Sequence, residues 1–459
     1  MPRITVLLAI FAAPLFLGAC DVPRSDERAL APTAPASARD VDFDLELIRE
    51  VRALAAEKGV GELAKRPKIR SSLVSLGQVL AFDPLLSGTR DISCMTCHVP
   101  GFGTGDGKSL SIGQGGSGLG PTRSHPQGVF IPRNAPPLFN LADMRRLFWD
   151  GRVEVDAQGG LSTPAGAQIT DEMKRVFEFG AISALAMFPV TNRFEMRGFS
   201  GNELAAIPDA EFTGIWQGLM ARLGAIGEYR GMFLSAYPGT RFEDMTFAHA
   251  SNAIAAFFID QLSTAKSPWD RFLSGNDKAL TRKQLDGAKT FLGLRCVQCH
   301  NGATFSDQEF HNVAVAQVGP GQGNGFEGRD DFGRMNVTGN AGEIYRFRTT
   351  PLRNVELTAP YGHDGSILDL REFIEHYSES HLKLLAFDDS NLEPLLRGTT
   401  VPNASDILLT RDPILDGVVL PSDFVDRLMD FMGALTDPAA RNLNHVIPLR
   451  VPSGLPVIR

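Results

Sequence analysis

The sequence predicts a mainly α protein in two halves, with long loops and little β structure. Three observations predict it. Apolar residues recur at helical spacing ahead of each of two similar cysteine and histidine clusters, strand-like runs are sparse, and two Gly/Pro-rich stretches are too long for tight turns.

From the start of the chain, Arg3 and the apolar run Ile4 to Gly18 lead to Cys20, which closes "LFLGAC". Residues 1–20 resemble a bacterial lipoprotein signal, in which Cys20 is lipidated after cleavage; the alternative is an ordinary secretory peptide with a discarded cysteine. Either reading exports the chain to the periplasm, and the lipid would anchor it to a membrane. The run is too short for a permanent spanning helix, and no later stretch offers about eighteen uninterrupted apolar residues. Residues 21–42, rich in Ala, Pro, Ser and charge and without apolar periodicity, read as a flexible tether.

A chain of 459 residues, 43% hydrophobic, suffices for about two domains, expected over 43–272 and 273–459. In the first, "SSLVSLGQVLAF" puts Leu73, Leu76, Val79 and Leu80 on one helix face, and "SCMTCH" follows with Cys94, Cys97 and His98. In the second, "LTRKQLDGAKTFLGLRC", with Thr281 as the expected N-cap, leads into "CVQCH" with Cys296, Cys299 and His300. Two thiols at this spacing reach neighbouring substituents of one porphyrin, and the adjacent imidazole binds its iron. A single copy could be a chance cluster or a redox dithiol. Its recurrence makes covalent c-type haem, one in each half, the reading adopted. Of the five cysteines only Cys20 is left over, so there is no disulfide framework to build.

The formal charge of −8 argues against a nucleic-acid surface. "GQGGSGLGPTRSHPQG" and "GPGQGNGFEGRDDFG" are expected to be functional loops around haem edges or a partner site. Gly113, Gly115 and Gly118 in the first fit G-x-G-x-x-G. No strand pattern precedes them and no helix pattern follows, so a dinucleotide site is not expected.

Further stretches, "RNAPPLFN", "FWDGR", "FEMRG" and "TPLRNVELTAPYGHDG", occur in that order. With the haem motifs, they make the chain from about Leu76 to Tyr377 resemble the bacterial di-haem cytochrome c peroxidase and MauG superfamily. The resemblance implies two cytochrome c-like domains, a peroxide-reactive haem in the first, a six-coordinate haem in the second, and a calcium ion and a tryptophan between them. By the same resemblance His98 and His300 are the proximal iron ligands, and Trp149 of "FWDGR" is the bridging indole; without it Trp149 reads as a core aromatic. Asn134, Thr358 and Pro360 match the calcium ligands, an oxygen-only set suited to a hard cation. Glu195 matches the distal glutamate that moves a proton between the peroxide oxygens, with Pro189 in the same motif; the plain alternative is a solvated surface carboxylate. Where many members carry a glutamine four residues before that proline, this chain has Leu185.

Two departures separate branches of the superfamily. Gln114 stands sixteen residues after His98, where many di-haem peroxidases carry a histidine that blocks the reactive iron until reduction. An amide is a poor iron ligand, so the first haem is expected to rest open. Tyr377 stands fourteen residues after His363, where the peroxidases carry a methionine, and no methionine lies between Met335 and Met429. Ile367, Leu370, Ile374 and Tyr377 follow one helical stripe. Tyr377 is then either an iron ligand, as in the tyrosine-ligated MauG/MbnH-like enzymes, or a core tyrosine with its hydroxyl hydrogen-bonded. His376 and His381 lie off that stripe and rank lower. Ferric iron can hold tyrosine as phenolate, which favours storing oxidising equivalents over collecting electrons.

The resemblance therefore implies an enzyme that uses hydrogen peroxide to form a high-valent, bis-Fe(IV)-like state and oxidises Trp or Tyr of a partner protein by long-range electron transfer. The composition agrees, with 30 Phe against 5 Tyr and 3 Trp around this chemistry. Leu294 stands where MauG has an exit tryptophan, so the exit route differs. The alternative is a cytochrome c peroxidase that reduces hydrogen peroxide to water with electrons from a small cytochrome or copper protein. A simple electron carrier would need both irons fully ligated, against which Glu195 argues.

Overall fold

The apolar spacings become helices, and both halves use the same packing device. This computed structural model describes residues 38–458, with side chains from Asp44; the signal segment with Cys20, and residues 21–37, lie outside the described residues. Helix α1 (Ala38–Glu57) begins inside the stretch read as tether. Helix α2 (Ser71–Phe82) coincides with the first helical pattern and buries Leu73, Leu76 and Leu80, with Val79 half-buried beside them.

After α3 (Phe212–Gly224) and α4 (Gly227–Ala236), helix α5 (Phe247–Gln261) crosses α2. It is buried from Phe247 to Ile259, as expected for a helix apolar on nearly all sides. A Cβ on Gly77 of α2 would stand 1.8 Å from Ala253 O, so the glycine lets two backbones touch. The second half repeats this with α6 (Arg282–Gly293) and α8 (Ser422–Ala434), where a Cβ on Gly287 would stand 2.1 Å from Arg427 O. Thr281 caps α6, its Oγ1 accepting from Gln284 N at 3.3 Å. Each haem motif thus follows a helix locked against a second one. Helix α7 (Leu370–His376) is shorter than its apolar stripe: Asp369 caps it, so Ile367 precedes it and Tyr377 ends it.

Strands are few and short. β1 (Arg146–Leu147), β2 (Val153–Val155) and β3 (Leu161–Ser162) form an antiparallel meander, with Arg146 opposite Glu154 and Glu154 opposite Ser162. β4 (Phe310–His311) pairs antiparallel with β5 (Phe347–Arg348), Phe310 opposite Arg348. The fold is mainly helical with long loops. Among the described residues no helix is long and apolar enough to cross a membrane.

Two large apolar cores form. The first is built from Leu73 to Leu262 and also takes Ala440, Leu443, Val446 and Val451 from near the C-terminus. The second is built from Trp269 to Leu435 and takes Leu47, Ile48, Val51, Ala55 and Val60 from α1 and its exit. Each end of the described chain packs into the other half's core. The first core's main run ends at Leu262 and the second core begins at Trp269, so the expected boundary at 272/273 lies just inside the second core.

Candidate active site

Each Cys-x-x-Cys-His segment is one short helical turn, Cys94–Cys97 and Cys296–Cys299, ending on its histidine. His98 N donates to Cys94 O at 3.1 Å and His300 N to Cys296 O at 2.9 Å. In both, the imidazole Nδ1 lies 3.0 Å from a backbone carbonyl, Thr104 O or Phe305 O. Thr104 and Phe305 both have left-handed backbones, φ 62° and 57°, which turn those carbonyls back onto the rings. A carbonyl only accepts, so Nδ1 carries the proton and Nε2 keeps its lone pair, the tautomer an iron ligand needs. Burial pushes the His98 imidazole down to about 4 and lowers His300 too, against the pull of those carbonyls. Among the described residues the four motif cysteines form no disulfide. Burial pushes Cys94 up to about 12 and Cys296 up to about 11. A redox dithiol needs a thiol lowered toward neutrality, so that alternative finds no support here.

In the second half a cavity of about 330 Å³ is lined by Cys296, Cys299, His300, Trp149, His363 and Tyr377. Its mouth is apolar, with Leu294, Val418 and Val419. His363 in its lining is only 4% exposed, and among the described residues its Nε2 has no hydrogen-bond partner. An apolar slot with a buried, unsatisfied polar atom in its lining would suit a flat macrocycle that carries polar substituents. The residues present therefore fit a covalent haem.

Tyr377 belongs to the same wall. Burial raises its phenol, with the Cys299 and Cys296 thiols adding to the effect, and among the described residues its hydroxyl has no hydrogen-bond partner. His376 is buried and its Nε2 donates to Val313 O at 2.7 Å, so it is already committed, and His381 is exposed. The structure adds one residue that the sequence interval excluded: Met432 of α8 also lines the cavity.

The connector Phe148–Arg152 links this cavity to the first half. Trp149 is buried, and its Nε1 donates to Asn134 O at 2.9 Å. Its carbonyl accepts from Arg348 N at 2.8 Å, and Phe148 O from Arg348 Nε at 3.0 Å. Asp150 O and Gly151 O both accept from Arg334 Nη1 at 3.0 Å. Consecutive carbonyls of a first-half segment are thus held by two second-half arginines. The Asp150 carboxylate accepts from Arg133 Nη1 at 2.6 Å, and Arg133 also forks onto Asp331 at 2.6 and 2.8 Å.

Glu195 sits in a π-turn, Arg193–Arg197, capped by Asn192, whose Oδ1 accepts from Phe194 N and Glu195 N at 2.8 and 3.2 Å. Pro189 opens the preceding turn, and Asn192 N donates to Pro189 O at 3.2 Å. Gln114 N donates to Glu195 O at 3.1 Å, while its amide Nε2 is taken by Thr89 Oγ1. Backbone hydrogen bonds therefore tie Gln114 and Pro189 to the turn that carries Glu195. Leu185 instead packs on the first core. Burial raises the Glu195 carboxyl, Arg152 and Arg133 oppose this, and Asp150 reinforces it.

Asn134 is buried, its Nδ2 donating to Lys108 O and Ser109 O at 2.9 and 3.2 Å. Thr358 Oγ1 is engaged with Val355 O at 3.0 Å. Asn134, Thr358 and Pro360 share the cavity wall and offer neutral oxygens only, a set that accepts a hard cation without compensating charge. Sequence reasoning did not single out Arg133, Arg152, Arg334, Arg348 or Met432. Two of them had a signal, Arg133 as the first residue of "RNAPPLFN" and Arg152 as the last of "FWDGR".

The profile of the family described as di-haem cytochrome c peroxidase matches residues 71–278. The cytochrome c551 peroxidase of Pseudomonas aeruginosa is 32% identical over 336 residues, covering 72% of this chain and 78% of that protein. The methylamine utilization protein MauG of Methylorubrum extorquens is 28% identical over 333 residues, covering 72% of this chain and 76% of that one. Among solved structures, a MauG-like protein associated with microbial copper homeostasis has a similar fold, with TM-score 0.57 and 23% identity over 83% of this chain and 94% of that one.

Proposed function

This chain belongs to the di-haem cytochrome c peroxidase family, and from that premise we propose that it uses hydrogen peroxide to oxidise tryptophan or tyrosine side chains of a partner protein. It is a haem-dependent oxidoreductase, and its two c-type haems supply the electron-transfer chemistry. One observation carries the proposal: Tyr377, whose hydroxyl has no hydrogen-bond partner among the described residues, lines the cavity of Cys296, Cys299 and His300.

The chain's own residues divide the work. His98 and His300 present Nε2 to iron, their rings aimed by Thr104 O and Phe305 O. Gln114 has its amide occupied by Thr89 and would leave the first iron open to peroxide, whose proton Glu195 would accept. Trp149, fixed by Asn134 and Arg348, couples the halves. Tyr377 would hold the second iron as phenolate, and such a ligand would favour storing oxidising equivalents over collecting electrons. Calcium at Asn134, Thr358 and Pro360, a periplasmic location, and anchoring through a lipid on Cys20 belong to the same proposal.

Adding one equivalent of hydrogen peroxide to the resting, fully oxidised holoprotein tests it. Without any reductant, a visible and near-infrared change should persist for minutes, and Tyr377→Met should shorten its life on the order of tenfold. If nothing changes until the protein is half-reduced, the reading falls to the alternative, a peroxidase fed by a small cytochrome or copper protein. Met432 in the cavity wall favours that second reading, because it brings a thioether within the same site. A methionine-to-iron charge-transfer band that disappears in Met432→Leu would establish it.

A further inference from the structure

Arg152 is the connector residue that approaches Glu195. Its Nη2 lies 3.7 Å from Glu195 Oε1, and its Cζ stands 3.7 Å over the Phe148 ring. Behind it, Nη1 is 3.4 Å from Asp150 Oδ2, and the Arg152 backbone N donates to Asp150 Oδ1 at 3.1 Å. The guanidinium is braced by ring and carboxylate, with its remaining edge toward Glu195; 23% of the Arg152 side chain and 19% of the Glu195 side chain stay open.

We propose that Arg152 is the positioning residue for Glu195, holding the carboxylate ionised and aimed so that it accepts the proton of hydrogen peroxide. The proposal rests on the reading of Glu195 as proton acceptor. In the step it serves, one O–H bond of hydrogen peroxide breaks, the proton goes to Glu195 Oε1, and the electron pair stays on oxygen, leaving hydroperoxide. Negative charge moves from the carboxylate to the peroxide, and a cation beside both favours each in turn. The 3.7 Å separation is an ion-pair contact longer than a hydrogen bond, so Oε1 takes the proton without first losing a donor.

The charges that act on Glu195 are Arg152, Arg133 and Asp150. Asn192 and Gln114 bond only its backbone. Arg133 is bonded to Asp150 and Asp331, and Arg152 is the larger of the two opposing influences and the cation within ion-pair distance of Glu195. Losing it raises the carboxyl further, so the base form disappears at a higher pH.

The test uses the holoenzyme and two reactions at the first haem across pH: the rate with hydrogen peroxide, and equilibrium binding of cyanide, since hydrogen cyanide also gives up a proton as it binds. Arg152→Gln should move the acid limb of both profiles up by about one pH unit, about tenfold on that limb, and Arg152→Lys should restore most of it. Glu195→Gln should flatten the limb. An unmoved limb in Arg152→Gln, with a flattened one in Glu195→Gln, overturns the role of Arg152 and leaves that of Glu195 intact. A wild-type limb in Glu195→Gln overturns both. Should Arg152→Gln fail to fold, Phe148→Leu loosens the guanidinium while keeping both charges; it should shift the limb the same way, and no shift overturns the proposal.

Discussion

The indole of Trp149 makes one hydrogen bond, to Asn134 O at 2.9 Å, and that bond isolates its role from its bulk. Trp149→Phe keeps an aromatic ring in the cavity wall and loses the bond, at a cost of about 1 kcal/mol. The fold should survive with both haems attached, while an electron placed on the second haem should reach the first on the order of tenfold more slowly, as followed by flash photolysis. Unchanged transfer would return Trp149 to the core-aromatic reading. At this scale the sequence was legible where chemistry fixes a local spacing. Cys94, Cys97 and His98, and their second-half counterparts, must sit together on one helical turn to serve one macrocycle. Tyr377 was legible only as an offset from His363. Met432 was not, because α8 delivers it from a distant part of the chain to the same cavity.

Helices show a similar division between local and long-range signals. α2 follows its apolar spacing from end to end, and α6 begins where Thr281 caps it. α7 does not follow its stripe, because the Asp369 carboxylate accepts from Arg371 N and Glu372 N and fixes the start three residues beyond Ile367. Nor did composition reveal the partners of α2 and α6, since a glycine within a helical pattern reads as a weak point until the crossing helix is seen. Those glycines yield a prediction. The Cβ of Gly77→Ala would meet the Ala253 backbone, and that of Gly287→Ala the Arg427 backbone, so each helix pair must separate. Each substitution should cost about 1–3 kcal/mol. Thermal unfolding should show the loss, and the haem spectrum should change in the substituted half alone. Equal disturbance of both haems by either variant would count against independent helix pairs.

For the whole molecule, Arg133 is the tie between halves. It joins Asp150 of the first, at 2.6 Å, to Asp331 of the second, at 2.6 and 2.8 Å, all three side chains being buried. No sequence pattern announces such a pair, because nothing local requires an arginine at 133 to meet a carboxylate at 331. Burial would raise both carboxyls, but Arg133 overcomes it, and both are held below the ordinary carboxylate range. Their folded pKa values lie below the unfolded ones, so the stability they contribute is present above about pH 4 and lost as pH falls through the depressed values. Arg133→Met reverses the sign at Asp331, which would keep Gly333 N at 2.9 Å but lose its cation. A carboxyl buried without that cation takes a raised pKa, so the variant's penalty is largest where the unfolded chain is ionised and shrinks as the solution is acidified. At pH 7 the loss should be about 3–5 kcal/mol. Near pH 4, where Asp331 can fold as the neutral acid, the gap to wild type should narrow by more than half. Melting temperatures of both holoproteins at the two pH values measure it, and an equal gap at each would mean that the halves are held together by their exchanged apolar ends rather than by this charge cluster.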